Sequence, residues 1–172
     1  DIFAIVPSQE LAESLVDDYN KLNKSINITH TIGKEAIFLD VAFSMPPEPN
    51  KQIPYVDYVH LTSRLYQKPM NRYIYIPPTS YHHPSTFAAF ISAEIRRYTL
   101  LCSNIEDLNA CKKQFFARLL LRGYSATYLN KVFATAQFDR DLLLNECERN
   151  INLRFKDTKI DTDEPRPFTL IL

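Results

Sequence analysis

The sequence predicts an α+β fold: a small antiparallel sheet with one packed helix, followed by a helical bundle. Two observations carry this. Before residue 80, short runs of β-branched and aromatic residues alternate with turn residues. After residue 84, apolar residues recur at helical spacing instead. The chain has 172 residues, 45% of them apolar, which suffices for a buried core in one domain or two small ones.

The elements follow in order. Asp1 to Val6 reads as a strand of β-formers stopped by Pro7. Pro7-Ser8 opens a helix in which Leu11, Leu15, Tyr19 and Leu22 share one face, with Glu10, Glu13, Asp17 and Asp18 mostly off it; Asn20 to Ser25 ends it. Ile26, Ile28 and His30 alternate with polar neighbours, and Gly33-Lys34 turns the chain into a second strand from Ala36 to Phe43, a predicted hairpin. Met45 to Asn50 is a loop, because Pro46, Pro47 and Pro49 remove ladder donors. Further strands are expected over Tyr55–Tyr66 and Tyr73–Ile76, and Pro77–Pro84 is irregular.

Pro84-Ser85-Thr86 begins a helix that runs to Cys102 with Phe87, Phe90, Ile91, Ile95, Tyr98 and Leu101 at helical spacing. Ser103-Asn104-Ile105-Glu106 has the form of a capping box, opening a second helix with Ile105, Leu108, Phe115 and Leu119 inward. Gly123 stands where a left-handed C-cap belongs. Ser125 starts a third helix carrying Tyr128, Leu129, Val132 and Phe133, which either breaks near Phe138-Asp139 or continues to Asn150. Phe168 to Leu172 is a short strand-like run. The predicted parts are 1–80, 81–150 and a tail at 151–172.

No apolar run approaches the roughly 18 to 20 residues of a membrane span, and the start lacks a signal-peptide pattern. An intracellular protein is expected. Cys102, Cys111 and Cys147 lack CxxC spacing, so buried thiols are the default. With Gly33 and Gly123 as the two glycines, a glycine-rich phosphate cradle is absent. His82-His83 has no further His or Cys at metal-ligand spacing, and no nucleophilic triad is legible. No cofactor and no metal are expected in the chain itself.

Charge is more informative. Lys and Arg total 20, as do Asp and Glu, but the distribution is uneven. Residues 1–50 hold 3 basic and 8 acidic groups, 51–131 hold 11 and 4, and 132–172 hold 6 and 8, giving −5, +7 and −2. The middle third is therefore a candidate surface for a polyanion. Lys68, Arg72, Arg96, Arg97, Lys112, Lys113, Arg118 and Arg122 are its candidate nucleic-acid contacts, interleaved with Tyr73, Tyr75, Tyr81 and Tyr98. Arginine supplies bidentate phosphate contacts and tyrosine a stacking face.

Several runs resemble those of reverse transcriptases, of the Penelope-like retroelement kind. Asp1-Ile2-Phe3-Ala4-Ile5 looks like the continuation of a Tyr-x-Asp turn, and Ala36-Ile37-Phe38-Leu39-Asp40-Val41 like a later palm strand. Ser63 to Arg72 is similar to a Leu-Tyr-Arg-Lys-Pro-Thr-Asp run. Ser80 with His83-Pro84 resembles Ser-x-His-Pro, and Arg97-Tyr98, Cys102-Ser103 and Arg122-Gly123-Tyr124 resemble thumb helices. The resemblance covers about residues 1–130. It implies a palm remnant followed by a thumb that grips RNA or an RNA–DNA duplex by its backbone. It also implies an organelle such as the mitochondrion, or the nucleus, and leaves the two undecided.

Departures from the pattern bear on activity. Asp1 matches the less essential aspartate of the metal-binding pair, and Gln67, Leu100 and Ser125 stand where Arg, Arg and Pro are usual. Without the full carboxylate set, two-metal phosphoryl transfer is not expected from these residues. The resemblance thus implies a non-catalytic RNA binder, such as a structural component of a ribonucleoprotein like an organellar ribosome. Its alternative is the C-terminal part of an RNA-directed DNA polymerase whose aspartates, with magnesium, lie upstream of Asp1 or on another chain. A third reading is a protein–protein module that uses the acidic helix at 8–23 and the aromatic segments.

Overall fold

The computed structural model describes residues 2–6, 8–22, 25, 27–45 and 61–155. It is α+β, with five helices and one three-stranded sheet among the described residues. The chain forms two compact units, Asp1–Asn71 and Arg72–Leu172.

The first unit contains α1 (Gln9–Leu22) and strands β1 (Glu35–Phe38), β2 (Val41–Ser44) and β3 (Thr62–Leu65). Ser8 Oγ caps α1 by accepting from Leu11 N at 3.2 Å. The sheet order is β1-β2-β3, antiparallel throughout. Phe38 pairs with Val41, so Leu39 and Asp40 form a two-residue hairpin loop with Leu39 at φ 55°. Ala36, Phe38, Val41 and Phe43 share one face, where Phe3 lays its ring on Phe43 at 4.7 Å and against Phe38 at 5.8 Å. The opposite face carries exposed Ile37 and Arg64.

Several strand expectations change here. Among the described residues, 2–6 and 27–30 pair with no strand, and Phe3 acts as a lid on the hairpin instead. The run Ala36–Phe43 is not one strand but two, because the turn falls at Leu39-Asp40 rather than Gly33-Lys34. Of the strand expected over Tyr55–Tyr66, Thr62–Leu65 is observed; 55–60 lie outside the described residues. So do Asp1, Pro7, the proline loop at 46–50 and the run 168–172. Leu11, Leu15, Tyr19 and Leu22 are exposed; the half-buried face of α1 lies one residue around, at Ala12, Val16 and Asn20, where Asn20 Oδ1 accepts from Ile28 N at 2.8 Å. Three four-residue strands offer little surface to cover a 14-residue helix.

The second unit holds α2 (Pro84–Leu101), α3 (Ile105–Leu121), α4 (Ala126–Thr135) and α5 (Arg140–Phe155). Its core is Ile91, Ile95, Tyr98 and Cys102 with Leu108, Phe115 and Leu119, closed by Tyr124, Leu129, Val132 and Leu143. Phe115 is its centre: Tyr75, Tyr98, Phe133 and Phe90 surround it at ring distances of 5.0, 5.5, 5.9 and 6.1 Å.

Helix ends follow from local chemistry. His83 caps α2, its Nδ1 accepting from Ser85 N at 3.3 Å, and Pro84 occupies the first turn where no amide is required. The expected capping box does not form: Asn104 is the N-cap of α3 and makes no side-chain cap bond. Ile105, expected inward, is exposed, since it is the first helical residue and lies off the Leu108–Phe115–Leu119 stripe. Gly123, at φ 100°, ends α3 as expected: its amide donates to Leu120 O at 3.0 Å and that of Tyr124 to Leu119 O at 3.1 Å. Ser125 Oγ then accepts from Tyr128 N and starts α4. The open question of the third helix resolves as a break, with Asp139 Oδ1 accepting from Leu142 N to start α5.

Candidate nucleic-acid interface

The segment Tyr73–Ile76 was expected as a strand and is not one. It lies as a strap along α3 and the turn after it, and side chains replace the ladder. Arg122 Nε donates to Tyr75 O at 2.7 Å, and the Tyr124 hydroxyl donates to Ile76 O at 2.7 Å. The Arg118 guanidinium sits 3.6 Å over the Tyr73 ring. Pro78 packs on the turn, where a Cβ added to Gly123 would meet its Cγ at 3.7 Å. Burial pushes the Tyr124 phenol up, which keeps it a neutral donor.

The strap therefore braces the end of α3 and the Gly123 turn that leads into α4, a helix–turn–helix arrangement. Within α4, Leu129 and Val132 face the core, while Ala126, Thr127, Asn130, Lys131, Ala134 and Thr135 are exposed. Thr127, Asn130, Lys131 and Ala134 follow helical spacing on one outward face. This face is polar, carries one cation and has no carboxylate.

Charge is polarised around it. Residues 73–93 and 108–138 contain no Asp or Glu, and the second stretch carries Lys112, Lys113, Arg118, Arg122 and Lys131. Glu94 of α2 and Glu146 of α5 meet arginines: Arg96 pairs with Glu146 at 2.8 Å and Arg97 with Glu94 at 3.3 Å.

These contacts sort the eight basic residues expected to bind nucleic acid. Arg96 and Arg97 are engaged in the ion pairs just given. Arg118 and Arg122 are brought together by the strap; Arg122 stays exposed with one of its five N–H donors used, and Arg118 is half-buried. Lys112 is half-buried and burial lowers its pKa, whereas Lys113 is exposed. Arg72 is exposed at the start of the strap. Lys68 belongs to the first unit, in a turn closed by Asn71 N donating to Lys68 O at 3.0 Å. Asp1 lies outside the described residues.

Sequence reasoning missed the outward face of α4. Its signal is Thr127, Asn130 and Lys131 at three- and four-residue spacing, opposite the apolar residues that mark the helix. Of the interleaved tyrosines, Tyr98 is buried at the centre of the core and Tyr81 is fully exposed. Cys111 hydrogen-bonds Cys102, and this bond together with burial pushes its thiol far up, away from nucleophile chemistry. Among the described residues no group of three or more His, Cys, Asp or Glu could hold a metal ion. No helix among them is long and apolar enough to cross a membrane.

A family model described as an animal helix-turn-helix domain matches residues 74–134, which run from the strap through α4. No curated protein and no solved structure matches the chain. The resemblance to reverse transcriptases is not upheld, since no reverse-transcriptase family model is matched and the matching model is of a different family. The palm and thumb reading falls with it, as do the retroelement RNA binder and the polymerase fragment. The motifs that carried the resemblance have local explanations. Ala36–Val41 is a hairpin corner, Ser80 and His83-Pro84 make the turn and cap before α2, and Arg122-Gly123-Tyr124 is the glycine-ended close of α3.

Proposed function

We propose that the helical unit binds double-stranded DNA, with α4 laid in the major groove and α3 crossing the backbone. The observation that carries this is the outward face of α4 within a matched helix–turn–helix. Asn130 offers the amide that pairs bidentately with adenine, Lys131 a donor for guanine or phosphate, and Thr127 and Ala134 methyl contacts for thymine. The matched residues carry seven Lys and Arg against three Asp and Glu, net +4, which favours the phosphate backbone. Arg122, oriented by its bond to Tyr75, and Lys113 are suited to flanking phosphates.

The test is fluorescence anisotropy of the full 172-residue chain on labelled duplexes over a salt series. The expected result is binding that weakens steeply with salt. Lys131→Ala should weaken it on all sequences, while Asn130→Ala should cost roughly 1–3 kcal/mol on preferred sequences and flatten the preference. Duplex binding indifferent to both substitutions would place the interface elsewhere. Absence of salt-sensitive binding would remove the proposal.

A further inference from the structure

The loop between the strap and α2 holds one aromatic side chain away from the rest of the unit. Tyr81 has a relative exposure of 109%, the highest among the exposed large apolar residues described. Its backbone is not loose. Ser80 N donates to Pro77 O at 3.0 Å, His82 N donates to Ser80 O at 2.8 Å, and Ser80 Oγ bonds His82 Nδ1 at 2.8 Å. Tyr81 is thus the central residue of a tight i to i+2 turn, bounded by Pro77-Pro78 on one side and Pro84 on the other. A fully exposed aromatic gains nothing from folding, yet this one is presented on a braced support. Such a side chain loses little conformational entropy when a ligand covers it.

Its location indicates the ligand. The loop abuts the α3–α4 turn directly through Pro78, and through the α2 ring of Phe87 at its other end. Pro78 rests on Gly123, and the His82 ring meets Phe87, which meets Tyr124, which stacks on Tyr128 in the first turn of α4, at 6.2, 6.3 and 6.1 Å. The loop therefore adjoins the N-terminal end of α4. It also lies within the carboxylate-free stretch 73–93, so no acid of its own segment opposes a phosphate.

We propose that Tyr81 makes a second contact to duplex DNA outside the α3–α4 pair, its ring against a deoxyribose and its hydroxyl donating to a backbone phosphate. This rests on the DNA-binding reading and extends its footprint beyond the groove entered by α4. The contact involves no charge, so it adds affinity without adding counterion release.

The experiment compares the full chain with Tyr81→Ala, Tyr81→Phe and Lys131→Ala on one duplex, by anisotropy over a salt series and by phosphate-ethylation interference. The expected result is about tenfold weaker binding for Tyr81→Ala at unchanged salt slope, equivalent to about 1.4 kcal/mol. Tyr81→Phe should retain the share due to the ring and lose interference at one phosphate outside the α4 footprint. Binding that is sensitive to Lys131→Ala but identical for Tyr81→Ala overturns the inference and keeps the DNA reading. Wild-type protein that binds no duplex overturns both.

Discussion

Replacing Gly123 by alanine tests whether the α3–α4 turn is set by backbone conformation or by space. The new Cβ would meet Pro78 Cγ at 3.7 Å and Cδ at 3.9 Å, ordinary contact distances that cost nothing. The backbone is different. At φ 100° the residue lies beyond the left-handed well that L-residues enter at a cost of about 1–2 kcal/mol, and both C-terminal bonds of α3 require that conformation. Alanine returns part of this, about 0.4–1 kcal/mol, by stiffening the unfolded chain. The net expectation is a loss of about 1 kcal/mol, or more given the extreme φ, corresponding to roughly 4–8 °C in a unit of this size. Gly33 supplies the control: its added Cβ also sits at ordinary distances, 3.6 and 3.9 Å, and its φ is not left-handed. Gly33→Ala should be neutral or slightly stabilising. Urea unfolding followed by circular dichroism measures both variants. If Gly123→Ala proves as benign as Gly33→Ala, the turn does not depend on the left-handed residue and the reasoning fails.

Other substitutions probe the remaining supports. Phe115→Ala removes the fully buried ring that four aromatics surround, so a loss of about 3–5 kcal/mol is expected, read as collapse of thermal stability, with Phe115→Leu much milder. Burial, with Coulombic contributions from Tyr75 and Glu94, pushes the Tyr98 phenol far above its ordinary value of 10.0. A raised folded-state pKa means that its stabilisation is intact below about pH 10 and is lost as pH climbs beyond it. Alkaline unfolding should therefore move to higher pH in Tyr98→Phe; an unmoved midpoint would show that another group governs it. Leu39→Asn should stabilise the hairpin by roughly 1 kcal/mol, because asparagine tolerates the φ of 55° that leucine resists. Thermal unfolding that leaves Leu39→Asn below wild type would refute this.

The sequence made the helical unit legible where signals are local. Pro84 fixes φ, Gly123 admits the left-handed state and Ser125 supplies a cap, and the helix bounds fell beside them. The failures have physical causes. Gly33-Lys34 is a better turn signal than Leu39-Asp40, and the hairpin nevertheless bends at the leucine because that register keeps Ala36, Phe38, Val41 and Phe43 on one face under Phe3. Tyr73–Ile76 has strand-forming residues but no strand neighbour among the described residues; the Tyr75 and Ile76 carbonyls are taken by Arg122 and Tyr124, partners 47 and 48 residues away. Periodicity carries no trace of such pairings. The site was half legible: the basic stretch was identified by charge, yet Arg96 and Arg97 are held in ion pairs and α4 turns a mostly uncharged face outward, which a count of charges overlooks.

Those two long-range bonds also set an order of events. The N-caps of α2 and α4 and the glycine C-terminus of α3 are supplied by residues within a few positions of each helix, so the helices can form without waiting for distant chain. The strap must close loops of nearly fifty residues to reach Arg122 and Tyr124, an entropic cost paid before its hydrogen bonds form. Docking of the strap is therefore expected late on the folding route. Changes within it should speed unfolding far more than they slow folding, making these few residues the governor of how long the folded unit lasts.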